Sequence, residues 1–243
     1  MAKRLLIVAG LYRPARWVFR RLRSERQHRY VDAVELYRSL LPSGALCFDV
    51  GANIGEKSEA LLAAGARVIA FEPNQRTVPE LRARCGHDAR WTLIQTGIGS
   101  GSAIATLYAT AASGQSSLVP NWEGQVIGTS HVPVVTLDAA IAQFGVPYYC
   151  KIDVEGWELE VLRGLTQPVP LISFEFHVRD EDVRKAHACL TRISDFGAAE
   201  VNVTIKEGSN FQFPEWMPLE QFRDWFPGHL SAYGDIFIRY GEM

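Results

Sequence analysis

Leu46-Cys-Phe-Asp-Val-Gly-Ala-Asn-Ile-Gly55 is the stretch that decides the fold. Its first five residues read as a short apolar strand ending at Val50, and a helix follows over residues 57–64. Gly51 and Gly55 bracket the turn between them, where main chain must fold tightly and leave room for a ligand. Asp49 stands at the end of the strand. A strand, a glycine turn and a helix place a nucleotide-type pocket at the carboxyl edge of a parallel sheet.

Outward from that turn, apolar runs alternate with helical ones. Residues 14–41 read as helical and stop at Pro42-Ser-Gly44. Arg67–Phe71 is a second strand closed by Glu72-Pro73-Asn74, and residues 79–84 are a short helix after Thr77. A third strand covers residues 91–95, and a glycine-rich turn runs from Gly97 to Gly101. Residues 103–109 and 131–135 read as extra strands, with a long polar loop over 110–130 between them. Then come a helix over Leu137–Phe144, a strand over 146–152, a helix over 156–165 and a strand over Leu171–Phe176. A helix over 182–195, a strand over Ala199–Ile205, an irregular aromatic stretch over 206–228 and a last strand over 235–240 complete the chain. This alternation implies an α/β fold with a doubly wound, mostly parallel sheet. No linker divides it.

With 47% hydrophobic and 21% charged residues over 243 positions, the chain is that of an ordinary globular protein with material for a large core. The net charge of -2 identifies no partner, and no nucleic-acid partner is expected. The four cysteines lack metal-binding spacing and read as reduced thiols. Charge is concentrated at the start: nine Lys or Arg and one acid lie between Lys3 and Arg29. The apolar run over residues 5–12 is too short to span a bilayer, and no cleavage site follows it. The stretch reads either as a solvated basic helix packed by Trp17, Val18 and Leu22 or as a contact for an anionic membrane surface. The expected location is the cytoplasm, with the inner face of the membrane as the place for such a contact.

The glycine spacing narrows the ligand. Ala52 and Asn53 occupy positions where a dinucleotide motif needs its close-approach glycine, and the P-loop pattern is also broken. Asp49 and Glu72 end two successive strands. Glu72 is placed to accept both hydrogens of a ribose diol, and the expectation is that Asp49 faces the other side of the same pocket. Two carboxylates repel a pyrophosphate but suit an ammonium and a sulfonium. S-adenosylmethionine carries both, with a ribose.

Four motifs occur in order: Phe48-Asp-Val-Gly-Ala-Asn-Ile-Gly55, Phe71-Glu-Pro73, Ser116-Ser-Leu118 and Lys151-Ile-Asp-Val-Glu-Gly-Trp-Glu158, with Val161-Leu-Arg-Gly164 after the last. Together they resemble the FkbM-type S-adenosylmethionine-dependent methyltransferases, over roughly residues 45–178 and weakly to the end. The resemblance implies a class I methyltransferase fold, Rossmann-like, of seven strands with the last antiparallel. It implies that Asp49, Gly51, Asn53, Gly55 and Glu72 line the cofactor site; we add Ala52, Pro73, Ser117 and Asp153. The segment Gly114-Gln-Ser-Ser-Leu118 is expected to fold over the pocket on the same ground. Residues 1–44 then form a basic N-terminal helical extension and residues 45–243 the methyltransferase domain.

Methyl transfer to oxygen needs alignment and exclusion of water, and a base helps when the acceptor is a hydroxyl. The candidates at the ends of the fourth and fifth strands are Asp153, Glu155, Glu175 and His177, of which Asp153, Glu175 and His177 are assigned to catalysis. Glu175 is also a possible partner for Lys151, and Glu158 in a helix's first turn reads as structural. Asp153, Glu175 and His177 together would suit a divalent metal, but their spacing runs across strands and no metal is assigned. The expected function is O-methylation of a hydroxyl on a sugar, a glycolipid or a natural product. The alternatives are a non-catalytic S-adenosylmethionine-binding module, an N-methyltransferase or a nicotinamide oxidoreductase.

Overall fold

Cys47, Phe48 and Val50 are almost fully buried, as a strand covered on both faces requires. They lie in β1 (Leu46–Val50), at the centre of the larger of two sheets in this computed structural model, which describes residues 27–205, 210–226, 229 and 232–241. β1 pairs in parallel with β2 (Arg67–Phe71) on one side and β7 (Tyr149–Ile152) on the other. β3 (Trp91–Ile94) extends the sheet beyond β2, and β8 (Leu171–Phe176) extends it beyond β7, all in parallel. β11 (Gly234–Tyr240) runs antiparallel between β8 and β9 (Ala199–Ile205). The sheet order is thus β3-β2-β1-β7-β8-β11-β9, with the last strand of the chain reversed. A two-residue strand, β10 (Met217–Pro218), adds antiparallel to β9, so the sheet has eight strands where seven were expected.

Alternation splits the core into two layers. On one face, Phe48, Val50, Phe71, Ile152, Phe174 and Ile236 pack with residues of α4 (Leu137–Phe144), α5 (Glu158–Arg163), α6 (Asp180–Ser194) and α7 (Leu219–Trp225). On the other, Cys47, Val68, Ala70 and Tyr149 pack with α2 (Glu56–Ala63), α3 (Val78–Cys85) and a helix over residues 27–40, here α1. Val34, Leu36 and Tyr37 of α1 are buried there, and the Tyr37 ring lies 5.7 Å from that of Tyr149. The C-terminal part of the expected extension is therefore built into the core. The basic residues before position 27, with Trp17, Val18 and Leu22, lie outside the described residues.

The second sheet has the order β4-β6-β5, from β4 (Gly97–Ile98), β5 (Ala103–Thr110) and β6 (Val126–Val135). Here the expected polar loop over 110–130 is corrected: it shrinks to residues 111–125, with a 3-10 turn at Ser113–Gln115. The first six residues of β6 are all exposed, so that part of the strand shows no apolar alternation. The stretch read as irregular contains β10 and α7, and its aromatic residues join the core: Phe222 and Phe226 are buried, and Phe213 packs against Phe222 and Trp225. All four cysteines are buried and free.

Candidate active site

The turn after β1 is held by main chain on both sides. Gly51 and Ala52 donate their N–H groups to the Phe71 carbonyl of β2, and Asp153 donates its own to the Val50 carbonyl. Gly51 has φ +86°, and a Cβ there would lie 1.8 Å from the Asp153 carbonyl oxygen. Only glycine lets β1 and the end of β7 approach so closely.

A cavity of about 260 Å³ opens at these strand ends. Its first end is formed by Gly51, Ala52, Asn53, Glu72, Pro73 and Asn74. Glu72 is buried, and each of its oxygens accepts a main-chain N–H, Oε2 from Asn53 (2.7 Å) and Oε1 from Asn74 (2.6 Å). Burial nevertheless pushes its carboxyl up to about 7. Asn53 adopts a left-handed φ of 49°, and its side-chain Oδ1 is buried without a hydrogen-bond partner. Apolar side chains of Phe71, Ile98, Leu107 and Leu118 form the walls.

The other end is acidic. Asp153, Glu155 and Glu175 line it. The Lys151 ammonium, 1% exposed, contacts Asp153 Oδ2 at 2.6 Å. Burial works against ionisation of Asp153, but Lys151 outweighs it and holds the carboxyl below its usual range. The direct contact of Lys151 is thus with Asp153, two residues along the chain, and not with Glu175, the possible partner read from the sequence. Glu155 has φ 55°, and burial, with Asp153 and Glu175 nearby, pushes its carboxyl up to about 8. Burial also raises Glu175, whose Oε2 lies 3.4 Å from His177 Nε2; Glu175 in turn raises His177.

The segment 111–125 roofs the cavity with Ser113, Gly114, Ser116, Ser117 and Leu118. Ser116 Oγ accepts from the Thr110 N–H and from Asn74 Nδ2 (3.4 Å). Ser117 exchanges main-chain bonds with Tyr108, and its Oγ donates to the Glu155 carbonyl (2.6 Å). Trp122, which the sequence reading passed over, fastens the end of this roof. Its Nε1 donates to Glu155 Oε2 (3.0 Å), and its ring lies so close to Gly156 that a Cβ there would sit 2.4 Å away. The Lys185 ammonium lies over the ring, 4.3 Å from its centroid. A lone tryptophan in a polar loop was the available signal. Trp157 also lines the cavity, and its Nε1 is buried without a partner.

Three assigned residues sit off the cavity wall. Asp49 does not face the pocket as expected: it lies on the α2 side of β1, 1% exposed, and accepts from Ser58 Oγ at 2.6 Å. Gly55 is the residue before α2, with φ +87° and its would-be Cβ against Leu81. His177 lines a smaller neighbouring cavity with Trp122 and Lys185, which Glu175 shares with the main one. Glu158 is structural as read: its Oε1 accepts from the Gly156 N–H (3.1 Å) and the Val154 N–H (3.3 Å) and closes the turn before α5.

Among the described residues no helix is long and apolar enough to cross a membrane. The chain matches the model of the methyltransferase FkbM domain over residues 49–219. It is 29% identical over 178 residues to the hexuronic acid methyltransferase AglP of Haloferax volcanii, covering 70% of each protein. Among solved structures it is similar to precorrin-6y C5,15-methyltransferase from Geobacter metallireducens, at 16% identity over 87% of each chain with a TM-score of 0.45. It is also similar to Aeropyrum pernix fibrillarin with bound S-adenosyl-L-methionine, at 9% identity over 81% of this chain and 66% of that one, with a TM-score of 0.46. With the family model covering well over half its length, motifs included, the chain belongs to the FkbM family of S-adenosylmethionine-dependent methyltransferases.

Proposed function

We propose that the protein binds S-adenosylmethionine in this cavity and methylates a hydroxyl of a sugar or glycolipid acceptor. The residues present suit that cofactor: Glu72 is a buried carboxylate pre-set by two main-chain donors to accept ribose hydroxyls, and the buried Asn53 Oδ1 beside it still lacks a donor. Gly51, Ala52, Pro73 and Ser117 complete the wall and roof around it. When bound, S-adenosylmethionine supplies an electrophilic methyl group.

Acceptor chemistry belongs at the acidic end. The observation that carries this is the Lys151–Asp153 pair, which keeps an ionised carboxylate at the cavity where Glu72's end meets Glu155 and Glu175. Asp153 accepts a hydrogen bond from the acceptor hydroxyl and orients its oxygen. A carboxylate of low basicity suffices there, because a hydroxyl whose oxygen is gaining a bond to carbon becomes strongly acidic. Asp153 therefore takes the proton late. Glu175, with His177 behind it, faces the same acceptor and holds a second polar group. The 111–125 roof keeps out water that would compete. A sugar acceptor fits this crowd of carboxylates around hydroxyl donors, and the relative from Haloferax volcanii is named for a sugar acid.

Calorimetry with S-adenosylhomocysteine tests the cofactor, and transfer of labelled methyl to a panel of glycosides and uronic acids tests the acceptor. Asp153→Asn is expected to lower turnover about 100-fold with S-adenosylhomocysteine affinity within about threefold of the parent. Transfer to amines alone, or full turnover in Asp153→Asn, would overturn the reading.

A further inference from the structure

We propose that Glu155, Glu175 and His177 form a binding site for one divalent metal cation at the acceptor end of the cavity. Each contributes one ligand atom, and the three atoms lie within 4.8 Å of one another. A cation with bonds of about 2.0–2.2 Å reaches ligands up to about 4.3 Å apart, so small side-chain rotations close the site.

The set differs from the one weighed across the strand ends, Asp153, Glu175 and His177, to which no metal was assigned. Asp153 is committed to Lys151, and Glu155, whose backbone is left-handed, takes its place beside Glu175 and His177. A group of acids alone would not identify a site; here the third member is an imidazole. His177 Nε2 is buried with no hydrogen-bond partner, 3.4 Å from Glu175 Oε2. An imidazole nitrogen so placed can join the two carboxylates around one cation.

The surroundings hold the ligands as metal sites hold theirs. Trp122 Nε1 donates to Glu155 Oε2 (3.0 Å) and fixes that carboxylate. The His177 ring lies between Tyr233, stacked at 6.1 Å, and Trp122, edge-on at 6.1 Å. Glu155 and Glu175 both line the main cavity, so further coordination positions face the space assigned to the acceptor. Two carboxylates with one imidazole suit manganese-like or zinc-like ions. The open positions would take two neighbouring oxygens of the acceptor, such as a vicinal diol or a hydroxyl beside a carboxylate. That last role rests on the function proposed above; the binding of the cation does not.

The test is titration of metal-free, full-length protein with Mn²⁺ alone, read by electron paramagnetic resonance and calorimetry, with S-adenosylhomocysteine binding measured in parallel. One Mn²⁺ per chain is expected, with imidazole nitrogen coupling in the pulsed spectrum. His177→Ala should abolish the nitrogen coupling and weaken binding at least 30-fold, Glu175→Gln should weaken it at least tenfold, and both should keep S-adenosylhomocysteine affinity. Absence of Mn²⁺ binding at millimolar concentration in the parent protein overturns the cation site and leaves the methyltransferase reading standing. Unchanged Mn²⁺ binding in both variants overturns it as well.

Discussion

The two ends of the cavity hold acids of the same kind in different ways. Glu72 has each carboxylate oxygen on a main-chain N–H, from the turn after β1 and the turn after β2. Asp153, Glu155 and Glu175 are held by side chains instead: Lys151 from within β7, His177 beyond β8, and Trp122 from the roof. Main-chain donors persist whatever residues surround them, whereas side-chain partners change with single substitutions. The end proposed for the cofactor is therefore fixed by the fold, and the end proposed for the acceptor is open to retuning.

The division breaks most severely at Lys151. Its ammonium sits among Asp153, Asp235 and Asp49, and they raise it well above its usual range despite burial. Lys151→Met keeps the packing and removes the charge. Asp153 is about a quarter exposed and would regain some solvation, so the expected loss is about 2–3 kcal/mol rather than the full cost of a stranded buried charge. Denaturant unfolding measures it. A loss below about 0.5 kcal/mol would mean that side chains hold the acceptor end no more tightly than a surface pair.

A smaller effect is expected at Trp122. Trp122→Phe leaves a ring against Gly156 and removes the N–H given to Glu155. Loss of that bond costs about 1–1.5 kcal/mol, so the 111–125 roof should open about five- to twelvefold more often. Limited proteolysis within 111–125 should speed up by that factor, and cofactor affinity should change less than acceptor KM. Equal changes in both would show that the roof serves the two ends alike.

The same contrast explains what the sequence revealed. β1, β2 and the turns after them were legible because strands buried on both faces read as continuous apolar runs, and because Gly51 leaves no room for a side chain. β6 was half hidden because its first six residues are exposed, and β10 is only two residues long. Asp49 was misplaced because it follows the alternation of Cys47 toward α2 and Ser58, away from the cavity. Lys151 was left with Glu175 as a possible partner, and its contact with Asp153 was not read, because such contacts depend on side-chain reach, which spacing does not encode. Trp122 reaches Glu155 over 33 positions, a separation that no local pattern spans.

The finest test concerns the proton on Glu72. In the free protein its carboxyl titrates near 7, above the usual value, so the folded state holds more protons than the unfolded chain between about 4.5 and 7. Its contribution to stability is full below the lower value and is lost as pH rises through the upper one. Cofactor binding has the opposite dependence. Two ribose hydroxyls can both donate only to the ionised carboxylate, so below pH 7 a proton must leave before the complex forms. S-adenosylhomocysteine affinity should therefore rise about fourfold from pH 6.5 to 8 and then level off. Calorimetry in buffers of different ionisation enthalpy should show proton release at the lower pH. Glu72→Gln should bind more weakly with no such slope. A flat profile in the parent protein would mean that Glu72 is already ionised by its two main-chain donors, and would make the cofactor end still more complete before any ligand arrives.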